Sequence, residues 1–161
     1  MPKWPPPVYR VRIDFDAPLD YVFRWCTDYR ADDPKRAREN FVRRVLERKR
    51  RSFVLQDLWK TPTIWYLNHN RTTLYPPDRW HVDSFGTLRT LSIDYQLHPL
   101  SRRRTRLEIR LLRRPTEAFP SQPSRAAYEG DLDRLWRHYA RSLNQDYRAH
   151  SARTRRRKVS S

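Results

Sequence analysis

Residues 9–30, YRVRIDFDAPLDYVFRWCTDYR, change hydrophobic period across one Ala-Pro step, and this constrains the fold more than any other stretch of the chain. Val11, Ile13 and Phe15 fall on one face of an extended strand while Arg10, Arg12 and Asp14 fall on the other, as in a strand with one buried side. Leu19, Val22, Phe23 and Cys26 then recur at helical spacing. Pro18 suits a first helical turn, where a missing N–H costs nothing, and Asp16 is placed to cap free amides. The segment therefore predicts a strand, a tight turn and a short amphipathic helix ending at Thr27-Asp28-Tyr29.

Asp32-Asp33-Pro34 repeats the helix-start signal and opens a second short helix through about Arg38. Six strand-like segments follow, at 41–48, 52–59, 63–74, 79–85, 88–97 and 105–112, separated by Lys49-Arg50-Arg51, by Pro76-Pro77, by Gly86 and by Pro99 with its basic loop. In the last two the alternation is clear. Leu91, Ile93, Tyr95 and Leu97 oppose Thr90, Ser92, Asp94 and Gln96, and Leu107, Ile109 and Leu111 oppose Arg106, Glu108 and Arg110, so each has a dry and a wet face. From Ser124 a long helix carries the apolar stripe Tyr128, Leu132, Leu135, Trp136, Tyr139, Leu143 and Tyr147. The expected organisation is a Pro-rich lead-in at 1–7, pinned by Trp4, a folded domain at 8–149, and a basic disordered tail at 150–161.

The opening pattern, Ile13 to Phe15, Ala17-Pro18, Val22-Phe23 and Thr27-Asp28, resembles the START-like (SRPBCC) superfamily, which includes polyketide cyclase-like and lipid-transport proteins. LHPLSRRRTRLEI at 97–109 is similar to a hairpin common in that family, with Arg104 where a glycine is usual, which leaves the turn type open. The resemblance covers roughly 8–149. It implies an α+β helix-grip fold: a curved antiparallel sheet of six to seven strands wrapped around a long C-terminal helix, with two short helices after the first strand. It also implies an internal cavity that holds lipids, polyketides, or sterol-like or aromatic compounds.

The chain carries 35 basic and 18 acidic residues, a net charge of +17, and 30 of the basic residues are arginine. Such a field attracts polyanions, and an arginine-heavy composition gives the same count with no partner at all. Arg153, Arg155, Arg156, Arg157 and Lys158 are the candidates for non-specific contact with nucleic acid or anionic membrane. Recognised nucleic-acid motifs are missing. Two glycines, Gly86 and Gly130, cannot build a phosphate-cradling loop or a dinucleotide fingerprint, and five histidines show no metal-ligand spacing, so neither cofactor nor metal is expected. Cys26, the only cysteine, excludes an intramolecular disulfide and reads as a small buried hydrophobe. With no signal-peptide pattern and no membrane-length apolar run, the expected location is the cytoplasm.

For the cavity wall the candidates are Trp65, Tyr66, Trp80, Tyr95, Trp136 and Tyr139, large rings of which several carry a polar tip. Asp57, His69, His81 and Asp83 are the weaker catalytic candidates, because a buried carboxylate beside an imidazole could act as a general base. Three readings stay open. The favoured one is binding, or transport, of a small hydrophobic or amphipathic ligand such as a lipid or polyketide-like compound, without chemistry. The second is a cyclase- or dehydratase-like enzyme, which needs at least two of those four polar residues to converge inside the cavity. The third is a basic adaptor for nucleic acid or anionic membrane.

Overall fold

Strand alternation and helical spacing assemble into one sheet and one long helix in a computed structural model that describes residues 7–159, with side chains through Thr154. The order is β1 (Val8–Phe15), α1 (Leu19–Thr27), α2 (Asp33–Ala37), β2 (Phe41–Arg48), β3 (Ser52–Lys60), β4 (Trp65–Tyr75), β5 (Arg79–Gly86), β6 (Arg89–Ser101), β7 (Arg104–Pro115) and α3 (Arg125–Val159). The seven strands form one antiparallel sheet in the order β1-β7-β6-β5-β4-β3-β2, with α3 against its inner face: the helix-grip fold.

Local chemistry explains where the elements begin and end. Pro18 takes the N-cap position of α1 in extended backbone, and no side chain caps that helix, so Asp16 does not play the part its place suggested. The Asp16 backbone N–H instead donates to Asn144 Oδ1 of α3 at 2.9 Å. Pro34 stands in the first turn of α2, and Arg38 closes it in the left-handed region at φ 55°. At the head of α3, Ser124 Oγ accepts the Ala127 N–H at 3.2 Å. Between β6 and β7 the chain reverses over Arg102 and Arg103 with the Arg103 N–H donating to Ser101 Oγ, and no residue there has a positive φ, so Arg104 needs no glycine's freedom at this turn.

The core lies between β1, β7 and β6 and the two helices above them. Tyr9, Val11, Ile13 and Phe15 from β1, and Leu107, Ile109 and Leu111 from β7, pack with Val22 and Phe23 of α1 and Leu143 of α3, all buried. Each such side chain contributes about 1.5–3 kcal/mol by leaving water. Polar ties fix α3 along the same side: the Arg10 N–H donates to Glu129 Oε1 at 2.8 Å and the Tyr9 hydroxyl to the Pro123 carbonyl at 3.2 Å. Asp146 accepts from Trp25 Nε1 of α1 at 2.9 Å and also takes an Arg36 N–H of α2.

α3 continues through Val159, whereas the sequence reading ends it near His150 and starts a tail there. Arg153 is exposed on this last part; the side chains of Arg155, Arg156, Arg157 and Lys158, and the lead-in with Trp4, lie outside the described residues. Among the described residues no helix is long and apolar enough to cross a membrane.

Candidate functional site

Between α3 and the inner face of the sheet lies a cavity of about 210 Å³. Its apolar wall is a run of rings. Trp80 stacks on Tyr95 with centroids 4.7 Å apart, Tyr95 meets Trp136 at 5.6 Å, and Trp136 meets Tyr139 at 5.3 Å. These four come from β5, β6 and α3 and all line the cavity, so sheet and helix build this wall together. Burial pushes the Tyr95 and Tyr139 phenols up, so they stay neutral and offer a hydroxyl to an occupant.

The opposite wall is polar and comes from β2, β3, β4 and α2. Arg43 Nε and Nη2 donate to the two oxygens of Asp57 at 2.8 and 2.9 Å, a bidentate pair, while Arg43 Nη1 donates to Asp33 at 2.6 Å. Asn70 Nδ2 also donates to Asp57, at 2.8 Å. Arg43 thus serves two carboxylates, the half-buried Asp33 and the buried Asp57, and Asp57, only 3% exposed, takes most of its bonding capacity. For Arg43 itself burial works against the charge, but the bonds from Asp57 outweigh it and hold the guanidinium protonated. Asp33 fares otherwise: burial, with repulsion from Asp28, outweighs Arg43 and pushes its pKa up to about 6. Cys26 lines the same cavity, its thiol pushed up by burial.

Of the expected wall residues, Trp80, Tyr95, Trp136 and Tyr139 line the cavity. Tyr66 is buried and stacks on Trp59 at 6.0 Å, outside the lining, and Trp65 is 59% exposed with the Lys60 ammonium 5.0 Å from its ring centre. Trp65 and Tyr66 are successive residues of β4, so they point to opposite faces. Of the four polar candidates only Asp57 faces the cavity. His69 is exposed on the outer face, where it pairs with Gln56 at 3.1 Å. His81 and Asp83 do meet, at 3.0 Å, but outside, with Asp94 on the other ring nitrogen at 2.8 Å. The convergence required of a catalytic pair among those four is therefore not formed in the cavity. Asp33, Arg43 and Arg89 are the charged groups on the wall that sequence reasoning passed over. Parity would have located one of them: Arg43 lies opposite Asp57 in the β2–β3 register and shares its face. Among the described residues no group of three His, Cys, Asp or Glu side chains gathers as a metal site would.

No protein-family model matches this sequence, and no curated protein matches it. Solved structures do. A START superfamily protein from Mycobacterium smegmatis superposes with a TM-score of 0.66 at 13% identity, over 88% of this chain and 97% of that one. The Zhui aromatase/cyclase from Streptomyces sp. R1128 does so with a TM-score of 0.67 at 12% identity, over 88% and 93%. One further match is the di-domain ARO/CYC StfQ from the steffimycin biosynthetic pathway, with a TM-score of 0.69 at 13% identity, over 85% of this chain and 45% of that one. At such identities the likeness is one of fold, and the fold is START-like.

Proposed function

We propose that this protein binds a small hydrophobic or amphipathic molecule in the cavity beneath α3. The observation that supports it most is the cavity's make-up: aromatic rings with polar tips on one wall, and charged and amide groups on the other, around a space the core does not fill. Its volume of about 210 Å³ exceeds the roughly 150 Å³ of an engineered apolar cavity that takes up benzene. The expected occupant is therefore one or two rings in size, and a long acyl chain or a polycycle would need α3 to move. Similar architecture in a START superfamily protein and in an aromatase/cyclase agrees with this reading.

Native mass spectrometry of the purified chain is expected to show an added mass that denaturation releases, and a neutral two-ring fluorophore such as 2-naphthol should bind and be displaced by extracts. Ser84, buried on the cavity wall, is the place to fill the space: Ser84→Leu should abolish fluorophore binding and leave the melting transition cooperative. A bare protein mass together with no fluorophore binding overturns the proposal.

Asp33 favours a second reading, a cyclase- or dehydratase-like enzyme, because a cavity carboxyl with its pKa near 6 is suited to accept a proton at neutral pH. Its test uses the ligand found above: conversion should rise through pH 6 and disappear in Asp33→Asn, and a ligand recovered unchanged sinks it.

A further inference from the structure

The charges on the cavity wall do not balance locally. At the β2–β3 side one guanidinium, Arg43, faces two carboxylates. Across the sheet stands Arg89, the first residue of β6, also on the cavity wall, and among the described residues it forms no ion pair. Its Nε is buried without a hydrogen-bond partner. What surrounds its head is aromatic: the guanidinium carbon stands 5.5 Å from the Tyr66 ring centre, and its charge, with a hydrogen bond to the Tyr128 phenol, works against the rise that burial gives that phenol.

Nor does the neighbouring arginine relieve it. Arg113 faces Leu91 in the β6–β7 register, two residues along the same inner face from Arg89, and is only 8% exposed. Its Nη1 is spent on the Ser121 carbonyl and Gln122 Oε1 at 2.9 and 2.7 Å, while its Nε is likewise buried without a partner. Burial, and then repulsion from Arg89, lowers the Arg113 pKa. Beside them Gly86 has no room for a side chain, because Asn68 fills the position: a Cβ there would stand 1.9 Å from the Asn68 amide oxygen and 3.2 Å from the Arg89 carbonyl. The paired ends of β6 and β7 thus hold two cations with a spare donor on each, and among the described residues neither forms an ion pair.

We propose that the occupant of the cavity is an organic anion, a ring-sized carboxylic acid, whose carboxylate docks on Arg89 while its apolar body lies against Leu91, Trp80 and Trp136. This rests on the binding reading above and adds the ligand's charge class. A guanidinium cannot lose its proton to escape burial, so its compensation has to come from an anion, and a planar carboxylate fits its fork. Arg113 adds field without a free fork, and Arg43 is occupied by Asp57, so the acid has one docking point and therefore one orientation.

The experiment is calorimetric titration of the full chain with cinnamate and benzoate, and with their uncharged amides, beside the neutral fluorophore. The acids are expected to bind roughly 10- to 100-fold more tightly than the amides, the worth of one charge-assisted contact. Arg89→Gln should remove that preference, so that acids and amides bind alike, and Arg89→Lys should restore part of it. Fluorophore binding without a preference for acids, or a preference that survives Arg89→Gln, overturns the anion proposal alone. If neither fluorophore nor acid binds, the cavity reading falls with it. Inorganic phosphate competing as well as cinnamate would show a bare anion site and would also overturn the claim of a carboxylic acid held by its ring.

Discussion

Two clusters of the same residue types stand back to back on this sheet, and they behave oppositely. Inside, Arg43 holds Asp33 and Asp57 against the cavity; outside, His81 sits between Asp83 and Asp94, with Arg71 on Asp83 at 3.1 Å. In both, burial pushes the carboxyl up. At Asp33 nothing offsets it fully and the pKa reaches about 6, whereas at Asp83 the bonds from His81 and Arg71 prevail and the carboxyl lies below its ordinary value. Depth helps decide on which side of its ordinary value a carboxyl beside a cation titrates.

Removing the cation should separate the clusters most. Arg43→Met leaves the buried Asp57 and the half-buried Asp33 without a counter-charge and should cost about 3–5 kcal/mol, whereas Arg71→Met on the outer face should cost about 1 kcal/mol or less. Urea denaturation at pH 7 measures both, and equal losses would break the comparison. Next in size is the pH response of Asp33. Because its folded pKa is raised, the native state binds the proton more tightly than the unfolded chain, so stability falls as pH rises from about 4 through about 6. Asp33→Asn lacks that slope and should gain on the parent by up to about 2 kcal/mol across the same window. A constant difference from pH 4 to 7 would show that Asp33 titrates normally.

The smallest effect belongs to His81. At that ring burial disfavours the charge, but bonds to Asp83 and Asp94 prevail and raise the pKa above 6.5. The raised value means a stabilising contribution that is complete below pH 6.5 and fades as pH climbs through the folded-state pKa. His81→Gln should flatten the stability profile above pH 6.5 and leave fluorophore binding unchanged. Lost binding would mean that the outer face communicates with the cavity.

The order of elements was legible because each announces itself locally: β1 by alternation, α1 by the spacing of Leu19, Val22, Phe23 and Cys26, and β6 and β7 by their apolar faces. The rings of Trp80, Tyr95, Trp136 and Tyr139 followed from those faces. The polar wall was not legible in the same way. Asp57 of β3 was a candidate from the start, but Asn68, Asn70, Thr72 and Ser84 occupy inward positions of β4 and β5, where a pattern of apolar against polar reads them as outward. Asp33 resembled a helix-start residue, Arg43 one of many arginines in a charged strand, and Arg89 an arginine near the start of the 88–97 segment. Only the register across strands, which no single segment carries, shows that these residues share a face.

An open sheet has two margins where backbone groups lack a neighbouring strand, and this one treats them differently. Along β1 the outward amides of Arg10 and Asp16 are taken by Glu129 and Asn144, so α3 acts as a seam closed over that border. Among the described residues β2 has no such cover; it has Arg44, Glu47 and Arg48, exposed Val42 and Leu46, and a register slip between Val45 and Glu47. Resistance of this chain to stacking strand upon strand into fibrous assemblies therefore rests on the charge and the kink of a single border.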